Sequence, residues 1–335
     1  MTQPTQPNQG VPPVVSPSVA PVTTEPSGDR YSPRIMTYQG DEKAVPFHQP
    51  KLRGKRWFTE VGWRYIVGAL AVAFAIFPIL YIVSAALNPV GTVASTGLIP
   101  SQISFTNFEA LLNNPNRPFL RWLTNTLLVS AGVAVGQVFF SALAAYAFSR
   151  FRFRGRRGGL LGLLLIQMFP SFLAAVALFA MISSIGDVVP ALGLNTLLGY
   201  GLVLMGFALG QVWLIKGFFD TIPRDLDEAA TMDGAGHATV FFRIILPLVQ
   251  PVLAVTGLLA FVGVVNEIIL ASIFLTSADS KTLSVGLYGI IEGDRSNNLG
   301  VFAAGALLTA LPVVLLFQYL QRYIVGGLTA GGVKG

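Results

Sequence analysis

The feature that most constrains this chain is a run of 23 residues without a charged side chain, Tyr65–Leu87. A helix needs about 20 apolar residues to cross the hydrocarbon core of a bilayer. Other long apolar stretches follow, and only 11% of all residues are charged, whereas soluble domains carry about 25%. A chain with so little polar surface belongs in a membrane, so we expect an all-α integral membrane protein.

The apolar stretches predict six transmembrane helices. Their predicted positions are Tyr65–Leu87, Trp122–Phe148, within Gly158–Gly186, within Leu194–Ile215, Leu248–Leu275 and Val301–Tyr319. Cytoplasmic loops carry an excess of lysine and arginine. If the N-terminus is cytoplasmic, all but four of the 22 lysine and arginine residues fall on the cytoplasmic side, the exceptions being Arg117, Arg121, Lys281 and Arg295. The N-terminus and the C-terminus are therefore both predicted to be cytoplasmic.

The first 64 residues differ in composition from the rest. Residues 1–50 hold ten of the 21 prolines and show no helical or strand periodicity, which predicts a disordered cytoplasmic tail. Residues 51–64 mix basic and aromatic side chains, a combination typical of the interface with lipid headgroups. Because most basic residues flank apolar spans, a nucleic-acid partner is not expected.

A polar segment, Thr221–Pro247, interrupts the apolar second half of the chain. Thr221 and Pro223 are suited to the start of a helix running from Pro223 to Asp233. Gly234 is expected to end or turn that helix. The acidic residues of its first turns complement the helix dipole.

The spacing of this segment identifies a known pattern. Three residues separate Glu228-Ala229-Ala230 from Gly234, nine separate Gly234 from Ile244, and one separates Ile244 from Leu246-Pro247. This resembles the EAA loop of binding-protein-dependent ABC importer permeases, in which a short cytoplasmic helix docks into a separate ATPase subunit. The resemblance implies a six-helix permease domain at 65–335 with its coupling loop at 221–247. It assigns ATPase coupling to Glu228, Ala229, Ala230, Asp233, Gly234, Leu246 and Pro247.

Four further stretches resemble the shorter permease of maltose/maltodextrin-type carbohydrate importers. They are Gln167–Pro170, Gly193–Thr196, Trp213–Phe219 and Gln321–Gly335. The resemblance implies a second homologous permease, two ATPase subunits and an extracytoplasmic sugar-binding protein as partners in the cytoplasmic (inner) membrane. It also implies that the C-terminal tail reaches the ATPases through Leu328, Thr329, Gly331, Gly332 and Lys334, and that the loop Thr276–Gly300 meets the binding protein. Maltose or a maltooligosaccharide is the expected substrate, with trehalose or another glucoside as alternatives.

The sequence contains little material for catalysis. It has two histidines, no cysteine and no phosphate-binding G-x-x-x-x-G-K-[ST] motif. We therefore expect a transport subunit that is not an enzyme and binds neither cofactor nor metal. ATP hydrolysis is expected on a separate polypeptide.

Among the polar residues inside predicted spans, the candidates for the translocation path are Gln167, Gln211, Asn266 and Glu267. An ionisable group in a bilayer is costly, so Glu267 either faces a cavity or partner on the translocation path, or is hydrogen-bonded to a neighbouring helix. A proton-coupled role is a third interpretation. For the two glutamines, helix–helix hydrogen bonding is favoured over contact with the substrate.

Two other functions are compatible with the composition. The first is a secondary transporter that runs on an ion gradient with Glu267 as its coupling group; it would be active alone and have an inverted repeat with broken helices. The second is a membrane scaffold that binds a cytoplasmic partner without moving sugar.

Overall fold

The computed structural model describes residues 57–89, 97–100 and 102–332, and every regular element within these ranges is a helix. The predicted tail at 1–50, residues 51–56 of the predicted interfacial segment and Lys334 lie outside them. The chain divides into two units, Met1–Trp63 and Arg64–Gly335. Within the first unit, Phe58–Gly62 forms a π-helical turn.

Thirteen helices are labelled here in chain order. They are α1 Trp63–Leu87, α2 Thr106–Leu112, α3 Phe119–Arg150, α4 Arg156–Gln167, α5 Ala175–Val188, α6 Leu197–Met205, α7 Val212–Thr221, α8 Asp225–Met232, α9 His237–Leu248, α10 Gln250–Val265, α11 Ile269–Phe274, α12 Leu283–Gly293 and α13 Arg295–Gly332. Shorter 3₁₀ turns lie at Ser171–Ala174, Pro190–Leu192 and Gly206–Gln211.

Four helical segments in the described part of the chain are long and apolar enough to cross a membrane. They are Glu60–Leu87, Phe119–Arg150, Leu197–Thr221 and Ser296–Ile324. The number rises to six if each of two bent pairs, α4 with Phe172–Val188 and α9 with α10, counts as one span. The bends are 82° and 80° respectively. The all-helical membrane fold therefore agrees with the sequence prediction.

Two predicted spans are divided in the structure. The span expected within Gly158–Gly186 ends at Gln167 and resumes as α5, because Pro170 cannot donate a helical hydrogen bond and disfavours helical geometry in the residue before it. The span expected at Leu248–Leu275 ends at Val265 and resumes at Ile269. Each of these two predicted spans therefore contains a break between separate helices.

Helix α3 is the centre of the fold. It contacts α10, α7, α6 and α12, and three clusters of buried side chains follow one another along its length. The first cluster includes Phe119 and Trp122, the second Val129 and Val133, and the third Tyr146. With 32 residues, α3 is about 48 Å long, so its two ends define two separate regions of the molecule.

Close packing supports these contacts. A Cβ atom on Gly286 of α12 would lie 2.1 Å from Cε3 of Trp122, and one on Gly136 would lie 2.6 Å from Cε of Met205. Lipid is as apolar as leucine, so packing and hydrogen bonds, rather than exclusion of water, hold helices together inside a bilayer. Glycine at these two positions lets α3 approach α12 and α6.

Candidate functional site

The polar segment Thr221–Pro247 begins as the end of α7 rather than as a new helix. The Thr221 hydroxyl donates to the carbonyl of Phe218 at 2.7 Å, within the last turn of α7. Helix α8 starts at Asp225, and the backbone amides of Asp227 and Glu228 donate to the carbonyl of Arg224. The predicted start at Pro223 with Thr221 as its cap was therefore wrong, because the Thr221 side chain is used by the preceding helix.

Gly234 ends α8, as the sequence predicts. Its φ of +82° is left-handed, a conformation that glycine adopts without steric cost. The amide of Ala235 donates to the carbonyl of Ala230 at 2.9 Å, and the amide of Gly234 donates to that of Thr231 at 3.0 Å. These two bonds form a Schellman motif, which satisfies carbonyls at the helix C-terminus. The chain then turns at Gly236 into α9.

The inward face of α8 packs against the rest of the chain. Ala230 is 8% exposed and lies in a cluster with Tyr146, Phe219 and Phe241. Leu246 is packed against the same cluster, whereas Pro247 is exposed. The small side chain of Ala230 therefore lets α8 approach its own chain, whereas the resemblance assigns Ala230, together with Ala229, to coupling with the ATPase.

The outward face of α8 carries the remaining residues of the predicted coupling motif. Glu228, Ala229 and Asp233 are exposed. Two apolar side chains, Leu226 and Met232, are 44% and 88% exposed beside them. This face combines acidic groups with apolar side chains around a small alanine, as a surface that receives another protein would.

An ion pair joins the inward face of α8 to the end of α3. Nε of Arg150 lies 2.7 Å from Oδ2 of Asp227, and the two side chains are only 6% and 19% exposed. The Arg150 guanidinium also donates through Nη2 to the carbonyl of Ile222, at 3.1 Å. The pair therefore ties the end of α3 to α8 and to the segment that leads into it.

The last residues of α3 form further hydrogen bonds with side chains from neighbouring segments. Arg224 Nη2 donates to the carbonyl of Ser149 at 3.1 Å, Arg156 Nε donates to that of Phe148 at 2.6 Å, and the Ser149 hydroxyl donates to Asp220 at 2.6 Å. Asp220 is also paired with Lys216. Helix C-termini leave carbonyls without intrahelical partners and attract positive charge, so these arginines stabilise the end of α3.

We call the five residues Ser149, Arg150, Asp220, Arg224 and Asp227 the junction. A cavity of about 400 Å³ opens beside it. Its lining residues are Arg150, Arg156, Asp220, Thr221, Ile222, Pro223 and Arg224. The junction was not predicted from the sequence. An arginine at the end of a long apolar helix was a visible signal, but its partner could not be identified from the sequence.

Glu267 lies in the break between α10 and α11, and both its carboxylate oxygens accept hydrogen bonds. Oε2 accepts from the Tyr200 hydroxyl and from the Ala271 amide, and Oε1 accepts from the Leu270 amide, each at 2.8 Å. The Ser284 hydroxyl donates to the Glu267 carbonyl at 2.7 Å. Glu267 thus holds the first turn of α11 and links it to α6 and α12.

The other three candidates for the translocation path bond to neighbouring backbone or side chains. Asn266 donates to the carbonyl of Val262 at 2.9 Å within its own helix. Gln167 donates to the carbonyl of Leu209 at 3.4 Å, and Gln211 donates to Oε1 of Gln137 at 3.4 Å. The last two contacts lie around the 3₁₀ turn Gly206–Gln211. This turn interrupts the α-helical hydrogen-bond pattern, so side chains supply hydrogen bonds there.

The loop between α11 and α12 is anchored near the start of α3, far from the junction. Oδ1 of Asn195 accepts from the Thr276 and Ser277 amides, at 2.7 and 2.8 Å, and from the Ser280 hydroxyl at 3.2 Å. On the other side, Trp122 Nε1 donates to the carbonyl of Ala278 at 2.9 Å. We call this set of contacts the latch.

The predicted binding-protein loop, Thr276–Gly300, therefore has an anchored part and an exposed part. Glu292, Gly293 and Asp294 are exposed at the end of α12. The backbone and side-chain amides of Asn297 donate to Asp294, which lowers the pKa of this carboxyl below its ordinary value. Asp294 thereby caps α13.

The predicted C-terminal tail continues α13. The backbone of Leu328, Thr329, Gly331 and Gly332 is helical, and Lys334 lies outside the described residues. The predicted contact between this tail and the ATPase subunits stays a prediction.

Comparison with known proteins gives one family for most of the chain. The family described as "binding-protein-dependent transport system inner membrane component" matches residues 137–329. That range contains the last turns of α3, the junction, α8 and the Glu267 break.

Individual relatives match over nearly their whole length. The maltose/maltodextrin transport system permease protein MalG of Yersinia pestis is 41% identical over 275 residues, which cover 79% of this chain and 90% of that protein. MalG of Escherichia coli strain K12 is 39% identical over 298 residues, covering 86% and 99%. A chain in the crystal structure of a bacterial ABC transporter involved in the import of the acidic polysaccharide alginate superposes with a TM-score of 0.65. It is 23% identical, with coverage of 81% of this chain and 99% of that one, and the match shows a shared fold.

Proposed function

This chain belongs to the family of binding-protein-dependent transport system inner membrane components, and we propose that it is a permease subunit of an ATP-driven importer for maltose and maltodextrins. The assignment of maltose and maltodextrins as substrates rests on the 39–41% identity to MalG proteins over 90–99% of their length. Trehalose or another glucoside is the alternative substrate that the same sequence pattern allows.

The proposed complex contains this chain, a second homologous permease, two ATPase subunits and an extracytoplasmic sugar-binding protein. Six spans with both termini in the cytoplasm would bring α8 to the ATPases. Their contact would be the outward face of α8, where Glu228 and Ala229 are exposed between Leu226 and Met232. The C-terminal residues from Leu328 to Lys334 would form a second contact with the ATPases.

On the other side of the membrane, the binding protein would meet the exposed part of Thr276–Gly300. The latch supports this division of the loop, because Asn195 and Trp122 hold its first residues to the helices while Glu292–Asp294 remain accessible. A bound sugar-loaded partner would then press on α12 and α13.

Transport would follow from movement at α8. Closure of the ATPase pair on ATP would push α8 and tilt the helices that it contacts, shifting the complex between inward-open and outward-open arrangements. This chain would supply the path and the coupling, and hydrolysis would occur on the partner subunits.

The geometry of Glu267 argues against the ion-coupled alternative. Its two carboxylate oxygens already accept three hydrogen bonds that hold α11 in place. A coupling group must release and bind its ion during each cycle, which would disrupt the start of α11 every time. We therefore assign Glu267 a positioning role in the break of the fifth predicted span.

Substitution at Glu267 separates the two interpretations. In Glu267→Gln one acceptor oxygen remains, so we expect sugar uptake to stay within a few-fold of wild type and to remain insensitive to uncouplers. Uptake that is driven by an ion gradient in the wild-type chain and abolished in Glu267→Gln would favour the secondary transporter.

The proposed function is tested by purifying the tagged chain in mild detergent with its native partners. We expect an ATPase and a second permease to co-purify, and hydrolysis in proteoliposomes to rise when maltose-loaded binding protein is added. Sugar movement by this chain alone without ATP would contradict the proposal. Partner binding without any sugar flux would point to the scaffold alternative.

A further inference from the structure

Helix α8 uses its two faces for different purposes. Glu228 and Ala229 point outward, where the proposed function places the ATPase, whereas Asp227 and Ala230 point toward the rest of the chain. The inward face makes the buried contact with Arg150. A force received on the outward face must therefore leave α8 through the inward one.

The backbone connections of α8 are poorly suited to carry that force. At its C-terminal end the chain passes through Gly234, with a φ of +82°, and then Gly236. Glycine allows large backbone rotations at little steric cost. At the other end, Ile222 has an extended conformation between α7 and α8. Side-chain contacts are therefore needed to hold α8 at a fixed orientation.

Three side-chain contacts provide this link, and all of them end on the last two residues of α3. Asp227 pairs with Arg150 at 2.7 Å, Arg150 donates to the Ile222 carbonyl at 3.1 Å, and Arg224 donates to the Ser149 carbonyl at 3.1 Å. Ser149 itself is fully buried. The end of α3 is thus connected to α8 both through the ion pair and through the residue that precedes the helix.

From these contacts we infer that the Arg150–Asp227 pair, assisted by Arg224, is a clamp that makes α8 and α3 move as one body during transport. Arg150, Asp227 and Arg224 are positioning residues: they act through α8 and α3 and touch neither sugar nor nucleotide. The inference rests on the proposed function, because it needs an ATPase that moves α8.

Burial explains why such a clamp would stay closed. Separating a buried ion pair leaves an uncompensated charge in a medium of low dielectric constant. The open state of the pair is therefore disfavoured. Because α3 contacts α10, α7, α6 and α12, a displacement of its end is transmitted to most of the helices around it.

The first experiment compares Arg150→Gln with Arg154→Gln in the assembled transporter, reconstituted in proteoliposomes with ATP and maltose-loaded binding protein. Arg154 is an exposed arginine between α3 and α4, four residues after Arg150, and serves as the matched control. We expect Arg150→Gln to lower sugar transported per ATP hydrolysed by about tenfold, with hydrolysis retained. Arg154→Gln should behave as wild type.

The second experiment replaces the ion pair by a covalent link. The chain contains no cysteine, so Arg150→Cys combined with Asp227→Cys offers a unique pair for a short bifunctional thiol reagent, with cysteine-free partner subunits. The uncrosslinked double variant should be uncoupled. Crosslinking should restore the transport-to-hydrolysis ratio toward wild type, which general stabilisation of an inactive complex would not do. The crosslinked double variant also tests the clamp if the Arg150→Gln complex fails to assemble.

The outcomes separate the clamp from the proposed function. Hydrolysis in the wild-type complex that maltose-loaded binding protein does not stimulate would overturn the proposed function, and the clamp with it. A stimulated wild type together with a fully coupled Arg150→Gln would overturn the clamp alone. Loss of transport on crosslinking would also overturn it, because the two helices would then have to move apart.

Discussion

The two ends of α3 carry the same pair of chemical groups in opposite surroundings. At the first turn, Arg121 lies 2.9 Å from Asp279, and the side chains are 59% and 66% exposed. At the last turn, Arg150 lies 2.7 Å from Asp227, with side chains 6% and 19% exposed. The distances are similar, so burial is the main difference between the pairs.

The helix dipole adds to this contrast. Arg150 is at the C-terminus of α3, where the partial negative charge of the helix attracts a cation, whereas Arg121 is at the N-terminus, where a cation is disfavoured. Neutral hydrogen bonds hold the loop at the Arg121 end: Asn195 accepts one from the Thr276 amide, and Trp122 and Asn125 donate to the carbonyls of Ala278 and Asp279. We conclude that charge fixes α3 at the junction, and that neutral groups fix it at the latch.

The largest effect is expected from removing the buried acid. Asp227→Ala leaves the Arg150 guanidinium buried without its carboxylate, which should cost about 3–5 kcal/mol of stability. Thermal unfolding of the complex in detergent measures this loss. A melting temperature close to that of wild type would mean that water reaches Arg150 and that the two ends of α3 do not differ as described.

A second large effect is expected at the C-terminus of α8. Gly234→Pro removes the amide that donates to Thr231 and imposes a negative φ where the chain has +82°. We expect it to uncouple hydrolysis from transport while membrane insertion persists, and Glu228→Lys should do the same by reversing charge on the outward face.

The control for Gly234 is Gly132→Ala, at a helical position with open space around the added carbon. It should transport as wild type does. Normal transport by either Gly234→Pro or Glu228→Lys would show that the end of α8 and its outward face are not used for coupling.

A smaller effect is expected at the latch. Asn195 has a φ of +59° and accepts four hydrogen bonds from Thr276, Ser277 and Ser280. Asn195→Ala removes the acceptor, and we expect a loss of about 1 kcal/mol together with faster proteolysis of the loop. Asn195→Asp keeps an acceptor oxygen and should protect the loop; equal cleavage of the two variants would contradict the assigned role.

The smallest effect is expected at the exposed pair. Arg121→Gln should change stability by less than about 1 kcal/mol, since exposed ion pairs are screened by solvent. The measurement is the same thermal unfolding as for Asp227→Ala, so the two values can be compared directly. A loss as large as that of Asp227→Ala would remove the distinction between the two ends of α3.

Much of this architecture could be predicted from composition and spacing. The apolar runs predicted a helical membrane protein, and Gly234 predicted the end of α8. Both features depend on local properties of the chain. A kink at Pro170 is compatible with the sequence, because a proline can be accommodated in a kinked span, but the size of the bend, 82°, could not be predicted from it.

The site itself was predictable only in part. The exposed residues Glu228 and Ala229 belong to a motif that is continuous in the sequence. The junction depends on Arg150 meeting Asp227 and Arg224 after the chain has passed through four intervening helices, and no local property reports that contact. The burial of Ala230 was missed for the same reason, because it depends on packing against Tyr146 and Phe241.

The most direct test of the account is site-specific crosslinking from two neighbouring positions of α8 in the assembled transporter. Because the chain has no cysteine, Ala229→Cys and Ala230→Cys each introduce a single reactive thiol. We predict that Ala229→Cys crosslinks to the ATPase subunit and that Ala230→Cys, directed into the chain's own core, does not. Crosslinking from Ala230→Cys alone, or from neither position, would contradict the assignment of the outward face of α8 to the ATPase.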